Sequence, residues 1–320
     1  MFSRALFLLA LSSQLLSRTV EAVGANALVP AYIYPLSATT WQPLYDQIAA
    51  HPNIKFNVII NPGSGPGADA LPGADYEREV KKLKTYTNTR LVGYVAVNYT
   101  NKDISLVQGE IAKYAGYFLH PHLLQSRPSF PALPPCRSYR MQILINPLYF
   151  SWKSASSDTV SVDGIFFDEA PSDNVPAHIS YLKSATAYAR SFANTGFPAA
   201  PYVVTNPGIS PANRTYLLPP NQPDLSLVYE EWYSNWTTNT GAKRQQIWDL
   251  DVDDSMLAVM LHDVPTALTC TQINDLVDDL KDNVGVQTLW LTEDHDYQVW
   301  PAAALWEKYS KSFEDGGSAC

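Results

Sequence analysis

An apolar run, Val162-Asp163-Gly164-Ile165-Phe166-Phe167, ends abruptly in two adjacent carboxylates, Asp168 and Glu169, and is closed by Ala170-Pro171. A short run rich in β-branched and aromatic residues and bounded by Pro has the pattern of a buried strand. Side chains alternate along a strand, so Gly164, Phe166 and Asp168 share one face and Ile165, Phe167 and Glu169 the other. Asp168 and Glu169 can then serve one substrate only if the strand end twists. A second acidic pair, Glu230-Glu231, closes Leu225–Tyr229 in the same way. Carboxylates at the tips of separate strands are what glycoside hydrolysis requires. One, with a raised pKa, protonates the leaving oxygen, and the other attacks the anomeric carbon or activates water. Asp168 and Glu230 are the opposed pair, with Glu169 shaping the charge beside Asp168. An acidic residue followed by Pro also opens helices, so Asp168-Glu169 taken alone is equally open to a capping role, and Glu231 to a cap or a solvent-facing position.

Other strand ends carry Tyr34, Asn61, Asn98, Asn206, His262 and Thr292. Asn61 and Asn206 each precede Pro-Gly, which is ordinary turn chemistry. Aromatic residues near the tips, Tyr34 and Trp290 among them, are of a type that stacks on sugar rings and also of a type that fills barrel rims. No metal and no cofactor are expected. Asp249-x-Asp251-x-Asp253 begins like a calcium loop, but Asp254 and Met260 stand where Gly and Glu are needed. Asp294-His295-Asp296 is too short a cluster for a site. No serine nucleophile elbow or zinc spacing is present, and the Gly-rich 61–67 stretch lacks the Gly-Lys-[Ser/Thr] ending of a phosphate loop.

These residues need a scaffold that brings strand ends together. Strand patterns fall at Leu28–Tyr34, Lys55–Ile60, Leu91–Val97, the 162–169 run, Tyr202–Thr205, Leu225–Tyr229, Met256–Leu261 and Val286–Leu291. Helical spacing falls at Trp41–Ala50, Tyr76–Tyr86, Ile104–Tyr114, Pro176–Ala193, Thr271–Asn283 and Ala302–Phe313. Strands alternating with helices mean a parallel α/β sheet, and eight units predict a single (β/α)8 TIM barrel. An open doubly wound sheet is the alternative. In a barrel the polar strand ends converge on one rim.

The chain has 320 residues, 46% hydrophobic and 17% charged, with a formal charge of −9. That charge argues against nucleic-acid partners and anionic membrane surfaces. Arg4 followed by the apolar Ala5–Leu16 has the form of a signal peptide over residues 1–25, too short to span a bilayer. No later run is long and apolar enough to be a membrane span, so a secreted or cell-surface monomer is expected. Asn98, Asn213 and Asn235 head N-x-[ST] sequons and are candidate glycan sites. Residues 26–320 form the domain, interrupted by Tyr117–Ser151. That stretch has three Arg, six Pro, no acidic residue and no periodicity. Its form suggests a retained intron or a disordered insert, with a lineage-specific loop as the alternative. Without it and the leader about 260 residues remain, the usual size of one barrel at about 250. Cys136 then drops out, leaving Cys270 and Cys320 as one candidate disulfide.

Five stretches resemble the spherulin-four family of cell-surface proteins, whose enzymatic members form glycoside hydrolase family 135. They are Val29-Pro30-Ala31-Tyr32-Ile33-Tyr34-Pro35, Ile59-Ile60-Asn61-Pro62-Gly63-Ser64-Gly65-Pro66-Gly67, Gly93-Tyr94-Val95, Val162–Glu169 and Thr205-Asn206-Pro207-Gly208. The resemblance implies a (β/α)8 barrel that hydrolyses the galactosamine-containing exopolysaccharide galactosaminogalactan. The family's acidic residues fall on Asp168, Glu169 and Glu230. Tyr34, Asn61, Ser64, Tyr94, Asn98, Asn206, His262 and Trp290 are the candidate substrate-binding residues. A partly deacetylated galactosamine polymer is cationic, which suits the acidic chain. Val95-Ala96-Val97-Asn98-Tyr99 lacks the polar residues expected after Gly-Tyr-Val, which bears on subsite preference. A non-catalytic polysaccharide-binding protein of the same fold is the competing reading.

Overall fold

The computed structural model describes residues 25–69, 71–115 and 160–315. The expected leader (Ala25 apart), the 117–151 segment and Cys320 lie outside the described residues. Cys270 is disulfide-bonded.

Eight parallel strands close in sequence order into a barrel. They are β1 (Asn26–Ala31), β2 (Lys55–Ile60), β3 (Thr89–Ala96), β4 (Gly164–Asp168), β5 (Tyr202–Thr205), β6 (Leu225–Trp232), β7 (Leu257–His262) and β8 (Thr288–Leu291). β1 pairs with β8 through Asn26↔Thr288 and Ala27↔Leu289, which seals the cylinder. The helices are α1 (Gln42–Ala50), α2 (Ala74–Leu83), α3 (Ile104–Ala115), α4 (Pro176–Arg190), α5 (Tyr233–Thr237), α6 (Thr240–Trp248), α7 (Cys270–Asp278) and α8 (Ala303–Asp315). The near-continuous apolar strands are buried on both faces, as a parallel sheet wrapped in helices requires.

The expected elements are present, with differences at their ends. α5 and α6 were not foreseen, because their polar composition leaves little apolar stripe, and Trp236 and Ile247 are their buried residues. β1 stops at Ala31. The rim residue of that strand is therefore Tyr32 rather than Tyr34. The Asp249–Asp253 stretch serves as local structure: Asp251 pairs with Arg214, and Asp253 caps the turn at Ser255.

Two glycines in the quoted motifs are fixed by close approach. A Cβ on Gly164 would lie 1.8 Å from the Tyr202 carbonyl, so only glycine lets β4 and β5 pair there. A Cβ on Gly93 would lie 2.7 Å from the Tyr114 ring. That ring covers β3 and donates its hydroxyl to the Ile60 carbonyl at 3.2 Å. Asp163 is likewise structural, its carboxylate accepting the Leu91 N–H at 2.8 Å and fixing where β4 starts against β3. Among the described residues no helix is long and apolar enough to cross a membrane.

Candidate active site

The C-terminal ends of β4, β5 and β6 carry Asp168, Asn206 and Glu230 side by side. The Asn206 side-chain nitrogen donates to Asp168 Oδ1 at 2.9 Å and to Glu230 Oε2 at 2.7 Å. One amide nitrogen thus bridges the two carboxylates, and those oxygens are at most about 5.6 Å apart. The remaining oxygens are held by phenols. Tyr94 donates to Asp168 Oδ2 at 2.6 Å and Tyr297 to Glu230 Oε1 at 2.7 Å. Tyr32 meets both phenol rings edge-on, at 5.8 Å from Tyr94 and 6.2 Å from Tyr297. The result is a ring of five polar side chains around the mouth, with Tyr32 closing it.

The backbone that holds this ring is cross-tied. Val97 N–H donates to the Asp168 carbonyl, Tyr99 N–H to the Glu169 carbonyl and Asn206 N–H to the Phe167 carbonyl. Glu169 has φ of 53°, a left-handed conformation uncommon outside glycine. The extended backbone therefore stops at Asp168, and strand alternation no longer sets the direction of the Glu169 side chain. Burial raises the Tyr94 and Tyr99 phenols, Asp168 adds to this at Tyr94, and the Glu169 charge contributes at both. Burial pushes the Glu230 carboxyl above the ordinary range, and the Asp168 charge adds to this. The hydrogen bonds from Asn206 and Tyr297 and the nearby His262 oppose it. Burial and the Glu230 charge keep Tyr297 protonated as a donor. Two carboxyls in different surroundings, one pushed upward by burial and the other bonded by Tyr94 and Asn206, are the kind of pair between which glycosidases divide the acid and nucleophile roles.

The expected residues divide. Tyr94 and Asn206 join Asp168 and Glu230 directly. His262 is buried at the end of β7, its ring 6.3 Å from that of Tyr297. Tyr34 is half exposed and donates to Asp75 at 3.1 Å, outside the carboxylate ring. Asn61 accepts the Gly65 N–H at 2.9 Å and shapes its own loop. Ser64 is exposed with φ of 50° and makes no hydrogen bond to the carboxylates. Asn98 is exposed with φ of 48° in the loop after β3. Trp290 corrects the expectation. It is buried between β8 and α8, edge-on to Trp306 at 5.1 Å, so it packs the strand–helix layer and cannot stack on a sugar. Of the candidate glycan sites, Asn98 and Asn235 are exposed, while Asn213 is half buried and bonds to Thr215 N and Asn174.

Tyr32 and Tyr297 are the site residues that sequence reasoning missed. Tyr32 had a signal, since it shares strand parity with Tyr34 and stands nearer the end of β1. Tyr297 lies in the loop after β8 with φ of 57°, and no pattern marks it. The loops after β7 and β8 also bring together His262, Asp263 and His295, three donors 33 residues apart at their extremes.

Known proteins now bear on this geometry. Sph3 of Aspergillus clavatus, solved in complex with GalNAc, superposes with a TM-score of 0.72 and 29% identity over 91% of this chain and 98% of its own. The tri-modular endo-β-1,4-glucanase Cel5B of Bacillus halodurans is more distant, with a TM-score of 0.47, 9% identity and 91% and 60% of the two chains covered. So is a sugar phosphate isomerase/epimerase of Parabacteroides distasonis, at 0.43 and 9% over 91% and 94%. No curated protein sequence matches the chain. The model of Spherulation-specific family 4 matches residues 26–313, nearly the whole barrel and every residue of the carboxylate ring. The chain belongs to the Spherulin4 family.

Proposed function

We propose that this protein is a secreted or cell-surface, endo-acting glycoside hydrolase that cleaves a galactosamine-containing exopolysaccharide with retention at the anomeric carbon. The observation that carries the reading is the single Asn206 nitrogen shared by Asp168 and Glu230. It keeps the facing oxygens within about 5.6 Å. That bound is close to the separation of about 5–5.5 Å in retaining enzymes and below the separation of about 6.5–9.5 Å that inversion needs to hold a water.

Glu230 is the acid and base, and Asp168 is the nucleophile. The buried Glu230 carboxyl donates its proton to the leaving glycosidic oxygen while Asp168 attacks the anomeric carbon. The resulting glycosyl ester is hydrolysed when Glu230, now ionised, takes a proton from water and the hydroxide displaces Asp168. Asn206 contacts both carboxylates throughout and follows the negative charge from one to the other. The neighbour solved with GalNAc supports an amino-sugar substrate. Glu169 and the rim acids Glu231, Asp263, Asp294 and Asp296 favour a polymer carrying free amines. Tyr34, Tyr99 and Trp232 are exposed at separate places around the mouth, which favours a chain lying across it over a chain end entering a pocket.

Wild-type, Asp168→Asn and Glu230→Gln proteins incubated with galactosaminogalactan test this. New reducing ends are expected from the wild type alone, with the first product in the anomeric form of the substrate by NMR. Tight binding without reducing ends from the wild type leaves a polysaccharide-binding protein. An inverted first product removes Asp168 from its role.

A further inference from the structure

We propose that His262, Asp263 and His295 form a binding site for one divalent transition-metal ion, with zinc as the representative ion. His262 ends β7, Asp263 follows it, and His295 lies in the loop after β8. Their three donor atoms form a small triangle. His262 Nδ1 lies 2.6 Å from Asp263 Oδ2, His295 Nδ1 lies 2.9 Å from the same oxygen, and the two nitrogens are 3.2 Å apart.

Hydrogen bonds alone do not satisfy this triangle while the Asp263 carboxyl is ionised. If both nitrogens carry protons, each donates to Oδ2, and two N–H donors then crowd each other at 3.2 Å. If one proton lies between the nitrogens, the acceptor nitrogen turns its lone pair toward a carboxylate oxygen. With the Asp263 carboxyl ionised, each of these arrangements leaves one side of the triangle repulsive. A cation attracted to all three lone pairs removes the conflict. An ion about 2.1 Å from each atom would stand about 1.2 Å out of their plane, with ligand angles from about 76° to about 99°. That is a facial two-histidine, one-carboxylate set with its other positions open. Two imidazoles favour zinc and its first-row neighbours over calcium or magnesium, which prefer all-oxygen shells.

The location gives the ion a task. His295 is two residues from Tyr297, whose phenol donates to Glu230 at 2.7 Å. The Val264 N–H already ties the loop after β7 to the Thr292 carbonyl at 3.0 Å. A bound ion staples the same two loops from the solvent side and fixes the segment that delivers Tyr297. The Trp232 ring stands edge-on to both imidazoles, at 6.4 and 5.9 Å, and shields one side. The site stands on its own geometry, whether or not the barrel hydrolyses sugar.

The test is calorimetric titration of tag-free, chelator-stripped protein with zinc, with magnesium and calcium as controls. The same titrations are run on His295→Ala and Asp263→Asn. One equivalent of zinc is expected at micromolar or tighter affinity in the wild type, with little response to the other two ions. Each variant should bind at least ten-fold more weakly and lose the zinc-dependent rise in melting temperature. The His295 side chain is half exposed on a loop, so its removal leaves the core intact and decides the question even if Asp263→Asn folds poorly. Absence of zinc binding in the wild type, or equal binding by wild type and His295→Ala, overturns the site.

Discussion

Asn61-Pro62-Gly63 and Asn206-Pro207-Gly208 are the same three residues in the same place, just past a barrel strand, yet they do different things. In both, the side-chain oxygen accepts a backbone N–H and shapes a turn, from Gly65 in the first and Gly208 in the second, each at 2.9 Å. The other end of the amide separates them. Asn206 Nδ2 spans Asp168 and Glu230, whereas Asn61 meets no carboxylate among the described residues. The cause is strand order. β5 lies between β4, which ends in Asp168, and β6, which carries Glu230 two residues before its end, while β2 lies between β1 and β3, which end in Ala31 and Ala96. A turn motif is local, but whether it becomes part of a catalytic ring depends on which strands flank it.

The largest effect should come from the acids that make the Asn206 turn special. Asp168→Asn removes the attacking group and is expected to lower kcat on the polysaccharide by about 10³-fold or more. Adding Asn206→Ala to that variant should cost little further, because residues that act as a unit are not additive. A full second penalty in the double variant would mean that Asn206 works independently of Asp168.

Asn206→Ala alone should lower kcat about 10²-fold with a smaller change in KM, the usual loss when one preorganised donor to developing charge is removed. It also withdraws a hydrogen bond that holds the Glu230 carboxyl down, so the basic limb of the rate profile should move to higher pH. Tyr297→Phe withdraws the other such bond and should shift the limb in the same direction, with about a ten-fold loss in kcat. The stability sign follows from the same shift. The folded Glu230 binds its proton more tightly than the unfolded chain, whose carboxyl titrates near about 4.3. Its contribution is full below that pH and is lost as pH rises through the raised folded value. Glu230→Gln should therefore melt higher than wild type at pH 7, with the difference closing near pH 4. Melting curves at the two pH values check it, and a lower melting temperature at pH 7 would contradict the burial of this carboxyl.

The barrel was legible because its strands are apolar on both faces and its helices carry stripes, a pattern repeated often enough to survive errors at the ends. The acids were legible because Asp168-Glu169 and Glu230-Glu231 interrupt such strands abruptly. What failed was anything decided by side-chain direction or by loops. Trp290 occupies a strand as Tyr94 does, but turns to α8 instead of the mouth, and which face a residue buried on both sides takes is not written in an all-apolar strand. Tyr297 and the His262–Asp263–His295 triangle come from loops whose folding depends on contacts across the rim. At Glu169 parity assumes an extended backbone, and the left-handed turn found there leaves no trace in composition.

The smallest effect is expected at the other turn, and it is the one that isolates the role of strand neighbours. Asn61→Ala removes the bond to the Gly65 N–H in a half-buried loop and leaves the Tyr76 hydroxyl on the Asn61 backbone carbonyl in place at 3.0 Å. One hydrogen bond of this kind is worth about 1 kcal/mol, which for a chain of this size lowers the melting temperature by about 2–4 °C. The kcat/KM should stay within about two-fold of wild type, because no acid depends on that amide. Thermal melts and initial rates on the same preparations measure both quantities. A rate loss approaching that of Asn206→Ala would show that the loop after β2 reaches the substrate, and the contrast between the two turns would then be one of distance along the sugar chain rather than of role.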